Sequence, residues 1–223
     1  MEERILKLYS QVTTCSDGCD GIRNDPENGV IPRSFYCPFN PKNISLLMVS
    51  KNPGIGHPKE KEMYATLSGE QRVLSHEEFI RSRFMGNNSL ITSKYHKNIL
   101  DWVSIILNVE SNHDAVFKKS AMTAMVKCES LSDKTAAMPS STILHCTEKY
   151  LLKEIKLIQP KYLLALGNEA FKFLTRPKIK EIHELPVGKL YHPSWTNMKG
   201  GVSRYKSVEL VKLRDEYLKA CQN

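Results

Sequence analysis

The residues with the clearest chemical potential are cysteines. Cys15 and Cys19 are separated by three residues and Cys128 and Cys146 by seventeen. Two such pairs make four thiolates, a ligand set that suits either tetrahedral zinc or a [4Fe-4S] cluster. Spacing alone does not choose between them, and unrelated buried thiols fit the same spacing. Cys37 and Cys221 complete the set of six. A second feature is Asn52-Pro53-Gly54, which follows the apolar run Ile44 to Val49. The Asn52 side-chain carbonyl can accept a hydrogen bond from a water and orient it, while its amide donates to a ligand. The same tripeptide also fits a plain turn. The Gly54-Ile55-Gly56 within this loop completes no phosphate-cradling pattern. The third feature is His192-Pro193-Ser194, where an imidazole could donate to an oxyanion developing on a leaving group.

The elements around these residues must bring them together. Ile44 to Val49 reads as a strand buried on both faces, ended by a loop in which Pro and Gly forbid further pairing. Further strands are predicted over Ala121 to Val126, Lys161 to Leu166 and Lys189 to Tyr191. Helical spacing marks a short first helix, a helix starting near Ser75, and others over Tyr95 to Leu107, Ile143 to Ile158, Asn168 to Leu174 and Ser203 to Ala220. Strands alternating with helices predict an α/β fold, a three-layer αβα arrangement around a mainly parallel four-stranded sheet. Ligands of such sheets sit at the carboxyl ends of the strands, where Asn52 and His192 fall.

The 223 residues suit one domain, with the cysteine-bearing segment over about residues 1–40 attached to it. No apolar stretch is long enough to span a bilayer, and the first residues lack the apolar core of a signal peptide. The expectation is a soluble intracellular monomer without a membrane partner. Net charge is +8, and Phe171 to Ala220 carries eleven Lys or Arg against five Asp or Glu. Such a face can release counterions from a nucleic-acid backbone.

Taken together, these segments resemble the uracil-DNA glycosylase superfamily, within it the class that carries a [4Fe-4S] cluster. Val49-Ser50-Lys51-Asn52-Pro53-Gly54 is similar to the superfamily's first motif, and its Asn-Pro-Gly ending to the mismatch-specific branch. Thr123 to Cys128 resembles the Thr-Asn-Val-Val-Lys-Cys segment of the iron-sulfur class. The Cys146, Tyr150-Leu151, Pro160-Lys161 and Leu166-Gly167 succession and Tyr191-His192-Pro193-Ser194 resemble its later motifs.

The resemblance implies a monofunctional DNA glycosylase of base-excision repair, acting in the cytoplasm at the nucleoid on DNA that contains a damaged base, foremost uracil. It implies Cys15, Cys19, Cys128 and Cys146 as cluster ligands, with Cys37 as the substitute for an early one and zinc as the other metal. Asn52 would orient the attacking water and His192 would donate to the departing base. Lys51, Pro53 and Gly54 would lie at the substrate, with Phe84 or Tyr64 stacking on it. Ala124 stands where the family has a base-reading asparagine, which leaves hypoxanthine excision or a non-catalytic DNA-binding role as alternatives. Ser194, Trp195, Lys199 and Arg204 are the expected DNA contacts.

Overall fold

The computed structural model describes residues 2–86, 93–131, 138–194 and 201–222. Its first half runs α1 (Glu3–Thr13), β1 (Ile22–Arg23), β2 (Phe35–Tyr36), β3 (Leu46–Ser50), α2 (Pro58–Ala65), α3 (Gly69–Met85), α4 (Lys94–Leu107), α5 (His113–Phe117) and β4 (Ser120–Ala124). The second half continues with β5 (Glu129–Ser130), α6 (Ser140–Cys146), α7 (Leu152–Ile158), β6 (Tyr162–Leu166), α8 (Asn168–Leu174), α9 (Pro177–His183), β7 (Val187–Leu190), α10 (Gly201–Arg204) and α11 (Leu210–Gln222).

The main sheet has the order β2-β4-β3-β6-β7. Its last four members are parallel, as alternating strands and helices require. The four strands expected from the sequence are present, and a fifth corrects the count. Phe35 and Tyr36 pair antiparallel with Thr123 and Met122 at the sheet edge. A two-residue strand has no period to read, so its pairing is set by what it packs against.

Every residue of β3 is buried, which explains its continuous apolar run. Strand alternation divides the core in two. Leu47, Val49, Ala121, Leu163 and Ala165 join α1, α7 and α8 on one face. Leu46, Met48, Leu164 and Leu166 join α4 and α11 on the other. The result is the three-layer αβα arrangement. Truncating a centrally placed side chain such as Leu47 to alanine costs about 2 to 5 kcal/mol.

The helix expected over Ile143 to Ile158 is interrupted. A π turn at Thr147–Leu151 separates α6 from α7, and a second at Tyr205–Glu209 separates α10 from α11. Near the N-terminus, β1 pairs with β5 through Ile22↔Ser130 and Arg23↔Glu129, tying the early cysteine segment to the chain just past Cys128. No helix among the described residues is long and apolar enough to cross a membrane.

Candidate active site

The chain passes from β3 to β4 on one side and then crosses to β6 on the other, so the order reverses around β3. A cavity of about 690 Å³ opens at the carboxyl ends of these strands. Ser50 and Thr123 border it from the sheet, and the loop after β3 contributes Lys51, Asn52, Pro53 and Gly54. Leu166, Gly167, Asn168 and Glu169 border it from β6 and α8, and His192 and Ser194 from the segment after β7. Gly167, at φ +97°, makes the turn from β6 into α8 within 3.6 Å of His192 Cβ, measured from where its own Cβ would stand.

Asn52 and His192, 140 positions apart in the chain, thus face one space. Asn52 Nδ2 donates to the Pro53 carbonyl at 2.9 Å, which fixes the side chain. Its Oδ1 has no protein partner among the described residues. Ser194 N–H donates to His192 Nδ1 at 3.3 Å, so Nδ1 is the acceptor and Nε2 carries the proton in the neutral ring. The imidazole is reachable from the cavity yet surrounded by enough protein that desolvation holds its pKa below the usual histidine range, opposed by Glu169.

Lys51 pairs with Glu169 at 2.9 Å, joining the end of β3 to the start of α8 across the cavity mouth. Phe84 borders the cavity but is only 4% exposed, packed among Phe117, His96 and Tyr36 with centroids 4.8, 4.7 and 5.8 Å away. Tyr64 corrects the sequence reading. It is not among the cavity's lining residues, because its hydroxyl is held inward by His76 Nδ1 at 2.6 Å and Glu60 at 3.2 Å. Ala124 is likewise fully buried and off the cavity wall. The aromatic wall instead includes Phe35, Tyr36, Phe79 and Tyr95, none of which stands in a motif. Tyr95 lies 5.8 Å from the His192 ring. Arg204 is exposed at the end of α10, and Trp195 and Lys199 lie outside the described residues.

The cysteines occupy a second site. Cys15, Cys19, Cys128 and Cys146 border one small cavity with Ile22, Val126 and Tyr150. Cys146 Sγ accepts the Lys127 backbone N–H at 3.3 Å, and Lys149 Nζ lies 3.7 Å from Cys15 Sγ. Burial raises the Cys19 and Cys146 thiol pKa values. Among the described residues, no three His, Cys, Asp or Glu side chains are grouped to hold a single metal ion. Cys37 is buried elsewhere, its Sγ directed to the Phe39 carbonyl, and Cys221 is exposed near the C-terminus.

A family model described as the uracil DNA glycosylase superfamily matches residues 37–214. The chain belongs to that superfamily. The matched span covers all five strands of the main sheet except the first two-residue one, together with Asn52, His192, Cys128 and Cys146. Cys15 and Cys19 precede it. Superfamily membership supports a DNA glycosylase-like function with DNA as partner, on the αβα fold built here.

Proposed function

We propose that the protein is a monofunctional DNA glycosylase that extrudes a deaminated base, foremost uracil, and hydrolyses its N-glycosidic bond. The observation that carries this reading is the meeting of Asn52 and His192 on one cavity at the carboxyl ends of the parallel strands. Breaking this bond builds positive charge on the sugar and negative charge on the base, so groups are needed on both sides. His192 Nε2 donates to the departing base oxygen, and Asn52 Oδ1 orients the water that reaches the cationic sugar. Asn52 cannot accept a proton as a carboxylate would, so cleavage leads and water capture follows. Extrusion costs a few kcal/mol, least at a mismatch, and is offset by contacts with the aromatic wall. Arg204, Ser194 and the basic C-terminal third supply phosphate contacts that position DNA without reading it.

The four-cysteine cavity fits a [4Fe-4S] cluster in its donor set and in the N–H donated to Cys146 Sγ. Cys15, Cys19, Cys128 and Cys146 would hold the cluster, which would supply structural cross-linking of the N-terminal segment to the sheet.

The test is base release from oligonucleotides carrying uracil or hypoxanthine, single-stranded and paired, with Asn52→Ala and His192→Ala controls. Uracil release that falls about a hundredfold or more in each variant supports the reading. Hypoxanthine release alone moves the substrate to a purine. DNA binding without release of either base would make the chain a non-catalytic module.

A further inference from the structure

A buried ion network beneath the Asn52 loop has no counterpart in any motif. Arg33 Nη2 donates to the Gly54 carbonyl at 2.7 Å and to Glu129 Oε2 at 3.2 Å. Its Nε pairs with Glu60 at 3.0 Å, and its backbone N–H donates to the Lys127 carbonyl at 2.7 Å. Glu129 Oε2 in turn accepts the Gly56 N–H at 2.9 Å. The Arg33 and Glu129 side chains are 5% and 1% exposed. Ile55, between the two anchored glycines, is 53% exposed. The loop tip therefore stands in solvent while the backbone on either side of it is bound from below by charged groups.

We infer that Arg33 and Glu129 are positioning residues that fix the Asn52 loop for catalysis and couple it to the cysteine-bearing segment. The inference rests on the role given to Asn52 above. A surface loop between a strand and a helix is ordinarily among the least stable parts of a fold. Hydrogen bonds to charged groups are about twice as strong as neutral ones, and these are screened from water. A water-orienting amide must be held within a fraction of an ångström, and a small displacement costs large factors in rate. Arginine suits the place because its planar fork reaches Gly54, Glu60 and Glu129 at once, which a lysine cannot do. Coupling follows from sequence adjacency, since Glu129 is the residue after Cys128. Glu129 also meets Lys61 at 3.5 Å and, from β1, Arg23 at 3.6 Å. Anything that shifts the Cys128 segment thereby pulls on Gly56.

The test compares Arg33→Lys and Glu129→Ala, with Glu129→Gln as the conservative variant that keeps an oxygen for the Gly56 N–H. Uracil excision is measured well below each variant's unfolding temperature. We expect kcat to fall about tenfold or more with KM within about threefold for Arg33→Lys and Glu129→Ala, and partial recovery in Glu129→Gln. In an Asn52→Ala background, Arg33→Lys should cost less than about twofold, because the group it positions is gone. Hydrogen exchange gives a readout independent of turnover. The Gly56 amide should exchange about tenfold faster in Arg33→Lys while amides of β3 and β6 keep their rates. Equal losses in both backgrounds, or unchanged exchange at Gly56, would overturn the inference. If the parent protein releases no base, the glycosylase reading fails, and the exchange result still decides whether the network fixes the loop.

Discussion

Lys127 and Glu154 form an ion pair of 2.7 Å with both side chains at 0% exposure, and Thr123 Oγ1 adds a hydrogen bond to the same carboxyl oxygen. Glu154 Oε1 has no hydrogen-bond partner among the described residues. Removing either member strands the other in the core, but the two losses are unequal. With Glu154→Gln, the Lys127 ammonium must stay charged without a counterion or give up its proton. For an ordinary lysine at pH 7 that release costs about 5 kcal/mol. With Lys127→Met, Glu154 takes up a proton instead. That costs about 4 kcal/mol for an ordinary carboxyl, and less here because burial pushes the Glu154 pKa up, against Lys127 and Thr123. We therefore expect Glu154→Gln to lose about 3 to 5 kcal/mol and Lys127→Met about 2 to 3 kcal/mol. For a chain of this size, the first corresponds to a fall in Tm of roughly 6 to 11 °C. The double variant Lys127→Met with Glu154→Leu should return to within about 2 kcal/mol of the parent. Urea and thermal unfolding followed by circular dichroism give these values. A carboxyl raised in the folded protein binds a proton more readily there than in the unfolded chain. Lys127→Met should therefore regain stability as the pH falls from 8 toward 5. The reasoning is refuted if Lys127→Met proves the more damaging variant, or if the double variant loses the sum of the two.

Base release should fall on an acid limb centred below pH 6.5, because desolvation lowers the His192 pKa and protonation of Nδ1 would break its bond from Ser194; a limb centred above 6.5 would contradict this in a pH–rate profile. Burial pushes the Glu60 pKa up but is outweighed by His76, Arg33 and the His57 N–H, leaving it at about 2. Its contribution, roughly 3 kcal/mol, is full above the unfolded value near 4.5 and lost as pH falls toward 2. The urea-midpoint gap between parent and Glu60→Gln should therefore close over that range. Gly29→Ala should destabilise by about 3 kcal/mol or more, since its Cβ would stand 1.8 Å from the Lys61 carbonyl at φ +69°. Gly54→Ala, with nothing within 4 Å of its Cβ, should change stability by less than about 0.5 kcal/mol in the same unfolding assay. Serine at Cys15, Cys19, Cys128 or Cys146 should abolish visible iron-sulfur absorbance and bound iron, whereas Cys37→Ser and Cys221→Ser should retain both.

The parallel strands were legible because burial on both faces leaves unbroken apolar runs such as Leu46 to Val49. Asn52 and His192 were legible because strand ends in an α/β sheet converge. Phe35 and Tyr36 were hidden, since two residues carry no periodicity and their strand exists only through its partner β4. Tyr64 misled for a different reason. A tyrosine near a motif resembles a stacking platform, and only the packing of α2 against α3 reveals that His76 claims its hydroxyl. Arg33 and Glu129 were invisible in principle, because single charged residues far apart in sequence resemble solvated surface until the fold encloses them.

The π turn after Cys146 sets a phase relation along the chain. An α-helix advances about 100° per residue, and a π turn accommodates one residue beyond that regular winding. Deleting a single residue within Thr147–Leu151 would restore ordinary winding with the phase unchanged, but winding the full segment as regular α-helix would rotate everything upstream by about that angle relative to α7. Ile155 and Ile158 would keep their grip on the core, while Cys146 would swing away from Cys15, Cys19 and Cys128. The helix works as a keyed shaft, its one irregular turn deciding which way the thiol faces when the apolar side is seated.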